Sequence, residues 1–234
     1  ITATNVFAHI DDINNIVKLI KKTLKKDGVF ISESHYLLPL IQTVQYDTIY
    51  HEHLRYYSLE SLNFLLKKHN LEIFNVKEIN THGGSIRVYA SRKGKYKISS
   101  NVKKQFKKER RYLNKKSFEK FKKNVVSSKL NLFNLIKKIK DENKNIFGVG
   151  APSRASTLIN YLGLDQDIID CVLEIKGSVG SSPANERSIG FKEVINNPRY
   201  KKNINLLKPI TGDWNARSIE IPFRKLIRSG KKVD

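Results

Sequence analysis

An α/β fold in two successive units is what this sequence of 234 residues predicts, and three features carry that expectation. Residues 1–95 read as helix, strand, helix, strand, strand, the order of the second half of an α/β domain that closes on an antiparallel pair. Residues 96–143 read as a basic helical connector. Residues 144–234 open on a short apolar strand, a glycine-bearing turn, a helix and a further strand, which make a βαβ unit.

The first residues read as the exit of a strand. A helix follows with Ile10, Ile13, Ile16, Val17 and Ile20 on one face, then a turn at Asp27-Gly28 into a strand from Val29 to Ile31. A fold seldom begins on a loop, and the chain has no methionine, so further sequence ahead of Ile1 is expected. A helix is predicted near Leu37 to Val44, then a polar loop. A third helix is predicted from an N-cap at Ser58, with Leu59, Leu62, Leu65 and Leu66 as its apolar stripe and Asn70 closing it. LEIFNVKEI and SIRVYAS are strands joined by NTHGG, a hairpin turning on Gly83 and Gly84. In the connector, Phe106, Tyr112, Phe118 and Phe121 are spaced as the buried stripe of an amphipathic helix. Further on, Gly148 and Gly150 turn a strand into a helix that starts near Ser153, and IIDCVLEI is the next strand. Gly177 to Asn197, rich in Gly, Ser and Asn, reads as loop.

Composition narrows the function classes. A 39% hydrophobic content supports a folded chain of one large or two small domains. The single cysteine, Cys171, excludes an internal disulfide and a multi-cysteine zinc site, and fits a cytoplasmic protein. No secretory signal or membrane-length apolar run is evident. The net charge of +22 invites a nucleic-acid partner. However, lysine far outnumbers arginine and is spread along helices, which suits a solvated face better than a nucleic-acid surface.

Chemistry concentrates early, because all six histidines lie in the first 82 residues. YDTIYHEHLRYYS, from Tyr46 to Ser58, carries His51, Glu52 and His53 among four tyrosines. Histidine titrates near neutrality and a nearby carboxylate can orient it, so this group suits proton transfer. His-x-His spacing also suits a metal, although no recognisable pattern supplies a third ligand, and a merely polar surface loop is the remaining reading. GVGAPSRAS offers backbone N–H groups, a helix N-terminus and Arg154 to a phosphate. It departs from the full dinucleotide-binding pattern at Pro152 and Arg154 and lacks a clear ribose-binding acid. A plain turn is therefore the alternative, and a nicotinamide oxidoreductase is disfavoured.

In order and spacing, NVFAHIDD, FISESHYLLPLIQTVQYDTIYHEHLRYYSLESL, THGGSIRVYASRKG and GVGAPSRASTLINYLG resemble the sugar C-methyltransferases, over residues 1 to about 175. The resemblance implies the C-terminal half of a Rossmann-like class I methyltransferase domain, followed by a second Rossmann-like α/β domain. The implied activity is S-adenosylmethionine-dependent methylation of C3 of a nucleotide-linked 4-keto-deoxysugar. A zinc module and the glycine-rich first turn of the methyl-donor site would lie outside this chain, which alone is expected to be a poor enzyme. Residue by residue, the resemblance makes His53 the base, with Glu52 and Tyr50 orienting it or touching the sugar. Asn5 and His9 would face the keto oxygen, and Asn5 and Ala8 the methyl donor. His82 and Arg87 would contact substrate or shape their hairpin. Gly150, Ser153, Arg154 and Thr157 would lie near the diphosphate, with Asn160 close by. Beyond Gly177 the likeness fades: SSPANERSIG is a poor version of the family's proline-bearing loop, and NLLKPITGDWNARSIEI, with Trp214 and Asn215, an altered version of its leucine-rich strand and Trp-Asn stretch. Another acceptor for the same architecture, or a basic nucleic-acid-binding or scaffold fragment, are the competing functions.

Overall fold

A computed structural model describes residues 1–150, 153–165, 167–196, 205–213 and 215–228. Contacts divide the chain into two compact units, Ile1–Ser128 and Lys129–Asp234.

In the first unit, strand β1 (Thr2–Thr4) leads through a 3-10 turn at Phe7–His9 into helix α1 (Ile13–Thr23). The Asp12 side chain starts that helix by accepting the Asn15 N–H at 3.0 Å. Strand β2 (Phe30–His35) returns parallel to β1. It runs past Ile31, where the sequence reading stops it. The partner strand β4 (Ser85–Arg92) pairs with it from Phe30 to His35, which lets the polar Ser32, Glu33 and Ser34 be buried inside a sheet. Helix α2 (Leu37–Gln42) and a 3-10 turn at Tyr46–Thr48 follow. Helix α3 (Leu59–Lys68) begins at the expected Ser58, in a capping box completed by Ser61. Strand β3 (Leu71–Ile79) pairs antiparallel with β4, so the sheet order is β1-β2-β4-β3. Two parallel strands ending on an antiparallel pair are the second half of an α/β sheet that the order of elements predicts.

The core packs the helices on one face of this sheet. Phe30, Ile86, Val88 and Ala90 of the strands meet Phe7, Val17, Leu59, Leu62 and Leu66, all 1% exposed or less. Each of these Phe, Val, Ile and Leu side chains stabilises the fold by about 1.5–3 kcal/mol through loss of apolar surface.

The connector is two helices, α4 (Ser100–Tyr112) and α5 (Lys115–Asp141), broken where the Asn114 side chain caps Ser117 at 3.1 Å. The expected aromatic stripe is therefore divided. Phe106 packs on the core, whereas Tyr112 and Phe118 are exposed and no residue of α5 is buried. A single amphipathic face cannot continue through the break, because the second helix restarts its own rotation.

The second unit is a parallel three-stranded sheet, β5 (Phe147–Val149), β6 (Cys171–Lys176) and β7 (Asn205–Thr211), in that order. Helices α6 (Ser153–Leu162), α7 (Ser182–Asn196) and α8 (Ala216–Arg228) follow these strands in turn. Helix α7 occupies what the composition reads as loop. Pro183 falls in its first turn, where a missing N–H costs nothing, and Gly190 is tolerated inside it. Asn215 caps α8 through the Arg217 N–H at 3.0 Å, while Trp214 lies outside the described residues. Asp170 ties the start of this unit together, taking the Ile146 N–H at 2.7 Å and Lys140 Nζ at 2.8 Å. Among the described residues no helix is long and apolar enough to cross a membrane.

Two consequences can be measured. Leu62→Ala, at a fully buried site, is expected to lower unfolding stability by about 2–5 kcal/mol in urea titration, and a loss well below that range would show that the site can collapse around the cavity. For Asp170, burial works to raise the pKa, but the Ile146 N–H and Lys140 outweigh it and hold the carboxyl below the ordinary aspartate value. Its contribution is thus present above that ordinary value and lost as pH falls through it toward the folded pKa. Asp170→Asn should accordingly flatten the acid limb of the second unit's stability, followed by amide exchange in β5 and β6. An unaltered acid limb would exclude the ion pair as its origin.

Candidate active site

Residues 5–11 follow β1, and residues 43–57 follow β2 and α2, so both segments lie outside the carboxyl ends of parallel strands. Ligands of open α/β sheets are bound there. Backbone and side-chain bonds fasten the two segments to each other. The Leu54 N–H donates to the Ala8 carbonyl at 2.9 Å, and Tyr57 donates its hydroxyl to the Phe7 carbonyl at 3.2 Å. Arg55 spans the joint, its guanidinium donating to the carbonyls of Ile10 and, at 2.7 Å, Asp11.

Inside this clasp His53 is half-buried. Its Nδ1 lies 2.8 Å from the Thr48 carbonyl. A carbonyl oxygen can only accept, so Nδ1 carries the proton and, in the neutral ring, Nε2 holds a lone pair. The Tyr50 hydroxyl stands 3.2 Å from that Nε2 and donates to it. The Tyr50 ring lies against the imidazole at 4.4 Å between centroids, and His9 approaches from the β1 side at 5.1 Å. Tyr56 sends its hydroxyl to the same Thr48 carbonyl at 3.1 Å. Burial raises the titration of Tyr56 and of Tyr57, reinforced for Tyr56 by Tyr50 and partly offset for Tyr57 by Arg55, so both phenols stay protonated and donate.

The structure thus brings together His9, Tyr50, His53 and the Ala8 backbone. Glu52 sits 3.9 Å from an imidazole nitrogen of His51, which is 83% exposed, so His51 and Glu52 pair at the surface while Thr48 and Tyr50 orient the His53 ring. Asn5 ends β1 with a left-handed φ of 53°, its N–H held by the Glu33 carbonyl at 2.8 Å, and its side chain is partly exposed. Ala8 is partly buried in the 3-10 turn that follows. Among the described residues no three His, Cys, Asp or Glu stand close enough to hold a metal ion.

His82 is exposed at the tip of the β3–β4 hairpin. Gly83 and Gly84 shape that tip by close approach: a Cβ on Gly84 would meet Pro39 at 2.5 Å, and one on Gly83 would meet Gln45 at 2.5 Å. Gln45 donates to the Gly83 carbonyl at 2.7 Å and accepts from His35 at 3.0 Å. Arg87 pairs across the strands with the buried Glu33, at 2.6 and 2.8 Å, and those bonds raise its pKa further. A cleft of about 260 Å³ lined by Tyr36, Pro39, Glu78, Asn80 and Gly84 opens beside this hairpin, apart from His53.

In the second unit, Gly150 turns the chain from β5 toward α6 with φ 72°, its N–H held by the Leu173 carbonyl at 2.9 Å. Ser153 begins the helix, and Arg154 and Thr157 lie partly buried in its first turns. Asn160 turns back to its own helix, donating to the Ser156 carbonyl at 2.7 Å. Thr48, Tyr56, Arg55 and Gln45 are contributors that sequence reasoning leaves unassigned. Thr48 acts through its carbonyl, which no residue type announces.

Comparison with known proteins identifies the family. Residues 1–76 match a methyltransferase domain, and residues 80–200, just over half of the chain, match the C-methyltransferase C-terminal domain. The second match runs past Gly177. The chain is 32% identical over 169 residues to C-methyltransferase NovU of Streptomyces niveus, covering 70% of this chain and 40% of that relative. The two matches together cover the first unit nearly throughout and reach residue 200 of the second, and the chain belongs to the C-methyltransferase family.

Proposed function

We propose that this chain carries the acceptor-activating part of an S-adenosylmethionine-dependent C-methyltransferase that acts on C3 of a nucleotide-linked 4-keto-deoxysugar. The observation that carries this reading is the imidazole of His53, whose Nδ1–H is held by the Thr48 carbonyl so that Nε2, which accepts from the Tyr50 hydroxyl, is the basic nitrogen. Family membership and the likeness to NovU support carbon as the methylated atom. The sugar and its nucleotide follow from the motif resemblance.

The proton on C3 is weakly acidic because the neighbouring C4 ketone accepts the electron pair that is left behind. His53 Nε2 takes this proton, becoming imidazolium while its Nδ1–H stays on the Thr48 carbonyl. Negative charge moves to the C4 oxygen as the C3–H bond breaks. We assign Tyr50, whose hydroxyl would turn from Nε2 to that oxygen, with His9 and Asn5 as its donors, and one well-aimed donor to a developing oxyanion is worth about 3–4 kcal/mol. S-adenosylmethionine, when bound against Asn5 and Ala8, supplies a methyl group on a positively charged sulfur. The enolate pair at C3 would then form the carbon–carbon bond to that methyl as the C4 ketone is restored. The methyl–sulfur bond would break with its pair staying on sulfur, S-adenosylhomocysteine would leave, and His53 would return its proton to solvent. Glu52 sits at the mouth of the loop, where its carboxylate suits a sugar hydroxyl, and His82 and Arg87 are assigned to the same substrate. Gly150, Ser153, Arg154, Thr157 and Asn160, in the second unit, take the diphosphate, with a helix N-terminus and a guanidinium matching its charge.

The decisive experiment fuses the chain behind the N-terminal part of a relative such as NovU. The fusion is incubated with S-adenosylmethionine and a thymidine-diphospho-4-keto-6-deoxysugar, and the sugar is followed by mass spectrometry. A gain of one methyl is expected. His53→Gln should cut both the gain and deuterium exchange at C3 by about 10²–10⁴-fold, the usual worth of a positioned base. Exchange that survives this change would remove His53 from the role. Arg154→Ala should raise the KM for the sugar nucleotide and leave kcat near its original value, whereas a fall in kcat alone would place Arg154 away from the diphosphate.

A further inference from the structure

We propose that Glu109, on α4, is the positioning residue that holds the His53 loop in register and keeps the imidazole in its Nδ1–H form. This rests on the reading of His53 as the base. Glu109 is 3% exposed, although it belongs to the most basic stretch of the chain. Its Oε1 accepts the Tyr36 hydroxyl at 2.8 Å and the Leu59 N–H, and its Oε2 accepts the Glu60 N–H at 3.1 Å.

Leu59 and Glu60 are the first two amides of α3, which no turn of the helix itself can satisfy. The capping box serves Ser61 and Ser58, leaving these two for Glu109. A carboxylate against the positive end of a helix, with three donors, is a strong buried joint. Tyr36 is a lasting donor because burial pushes its titration above the ordinary tyrosine range, and Gln105 supplies its oxygen with a further N–H at 2.8 Å. Lys108 and Gln105, also on α4, both bind Glu78 of β3 and hold α4 in place.

From this joint the constraint runs to His53 through few bonds. Leu37 donates to the Tyr57 carbonyl at 2.9 Å, which fixes the end of the loop beside Tyr36. The adjacent Tyr56 donates to the Thr48 carbonyl, the same oxygen that holds His53 Nδ1. The segment from Ile49 to Ser58 is therefore fastened at Thr48 on one side and at Leu59 on the other, and Glu109 is the second fastening.

Glu109→Gln keeps the shape but sets an amide NH2 against a backbone N–H. In the ¹⁵N-labelled chain, Leu59 and Glu60 amide exchange is expected to quicken about tenfold or more, the usual cost of losing a charge-assisted bond. The ring ¹⁵N shifts of His53 should move from the Nδ1–H toward the Nε2–H form. Tyr36→Phe, which removes one donor and no charge, should move the ring the same way by less. Leu66→Val, which loosens α3 from its core side, should leave the ring unmoved. An unchanged His53 tautomer in folded Glu109→Gln, or in Tyr36→Phe if the first variant does not fold, overturns the proposal. So does a Leu66→Val ring shift as large as that of Glu109→Gln, because Glu109 would then serve stability alone. No substrate enters these measurements, so a fusion that fails to methylate would count against the proposed reaction and leave this result standing.

Discussion

The backbone bridge between Tyr36 and Tyr57 closes the excursion from Leu37 to Tyr56 onto the end of β2. Everything proposed for the first unit depends on that closure. Ordering a loop of this length costs conformational entropy, and only contacts made after closure can offset it. They come from three directions: Phe7 and Ala8 beneath, the hairpin glycines against Pro39 and Gln45, and Glu109 behind the start of α3. Remove the bridge and each of these loses its partner.

Most of the fastening uses backbone carbonyls. Phe7, Ala8, Ile10, Asp11 and Thr48 each accept from the loop, and Thr48 accepts twice. Carbonyls cannot rotate away as side chains can, so a ring held by one keeps its tautomer. This reconciles an active-site loop with the demand that a base be held at a fixed distance from its substrate. The tyrosines that crowd the stretch from Tyr46 to Tyr57 fit the same logic. The rings of Tyr50 and Tyr56 fill space beside the imidazole, while the hydroxyls of Tyr56 and Tyr57 are donors that burial keeps protonated.

Each unit repeats one device, a parallel strand that ends on a left-handed or glycine turn before a helix. Asn5 performs it after β1 and Gly150 after β5, and in both cases the turning N–H is held by a carbonyl of the neighbouring strand. The electrostatics differ. The first turn leads to neutral side chains suited to proton transfer, and the second to Arg154 and a helix N-terminus suited to an anion.

The alternation of elements, the Ser58 cap, the β3–β4 hairpin and the βαβ start of the second unit were legible in the sequence, because they rest on local periodicity and turn chemistry. The clustering of histidines and tyrosines from Tyr46 to Ser58 was visible for the same reason: residue types can be read in a string. Three things were decided only by the tertiary structure. Strand β2 extends through Ser32 to His35 because pairing with β4 satisfies polar residues that alternation alone would assign to solvent. Helix α7 forms where Gly and Ser suggest a loop, since composition is a weak prior against a completed fold. Finally, the main-chain partners of His53 and Glu109 are the Thr48 carbonyl and the Leu59 and Glu60 amides, the Leu59 amide 50 residues from Glu109, and the main chain is the same at every position until folding chooses which groups meet.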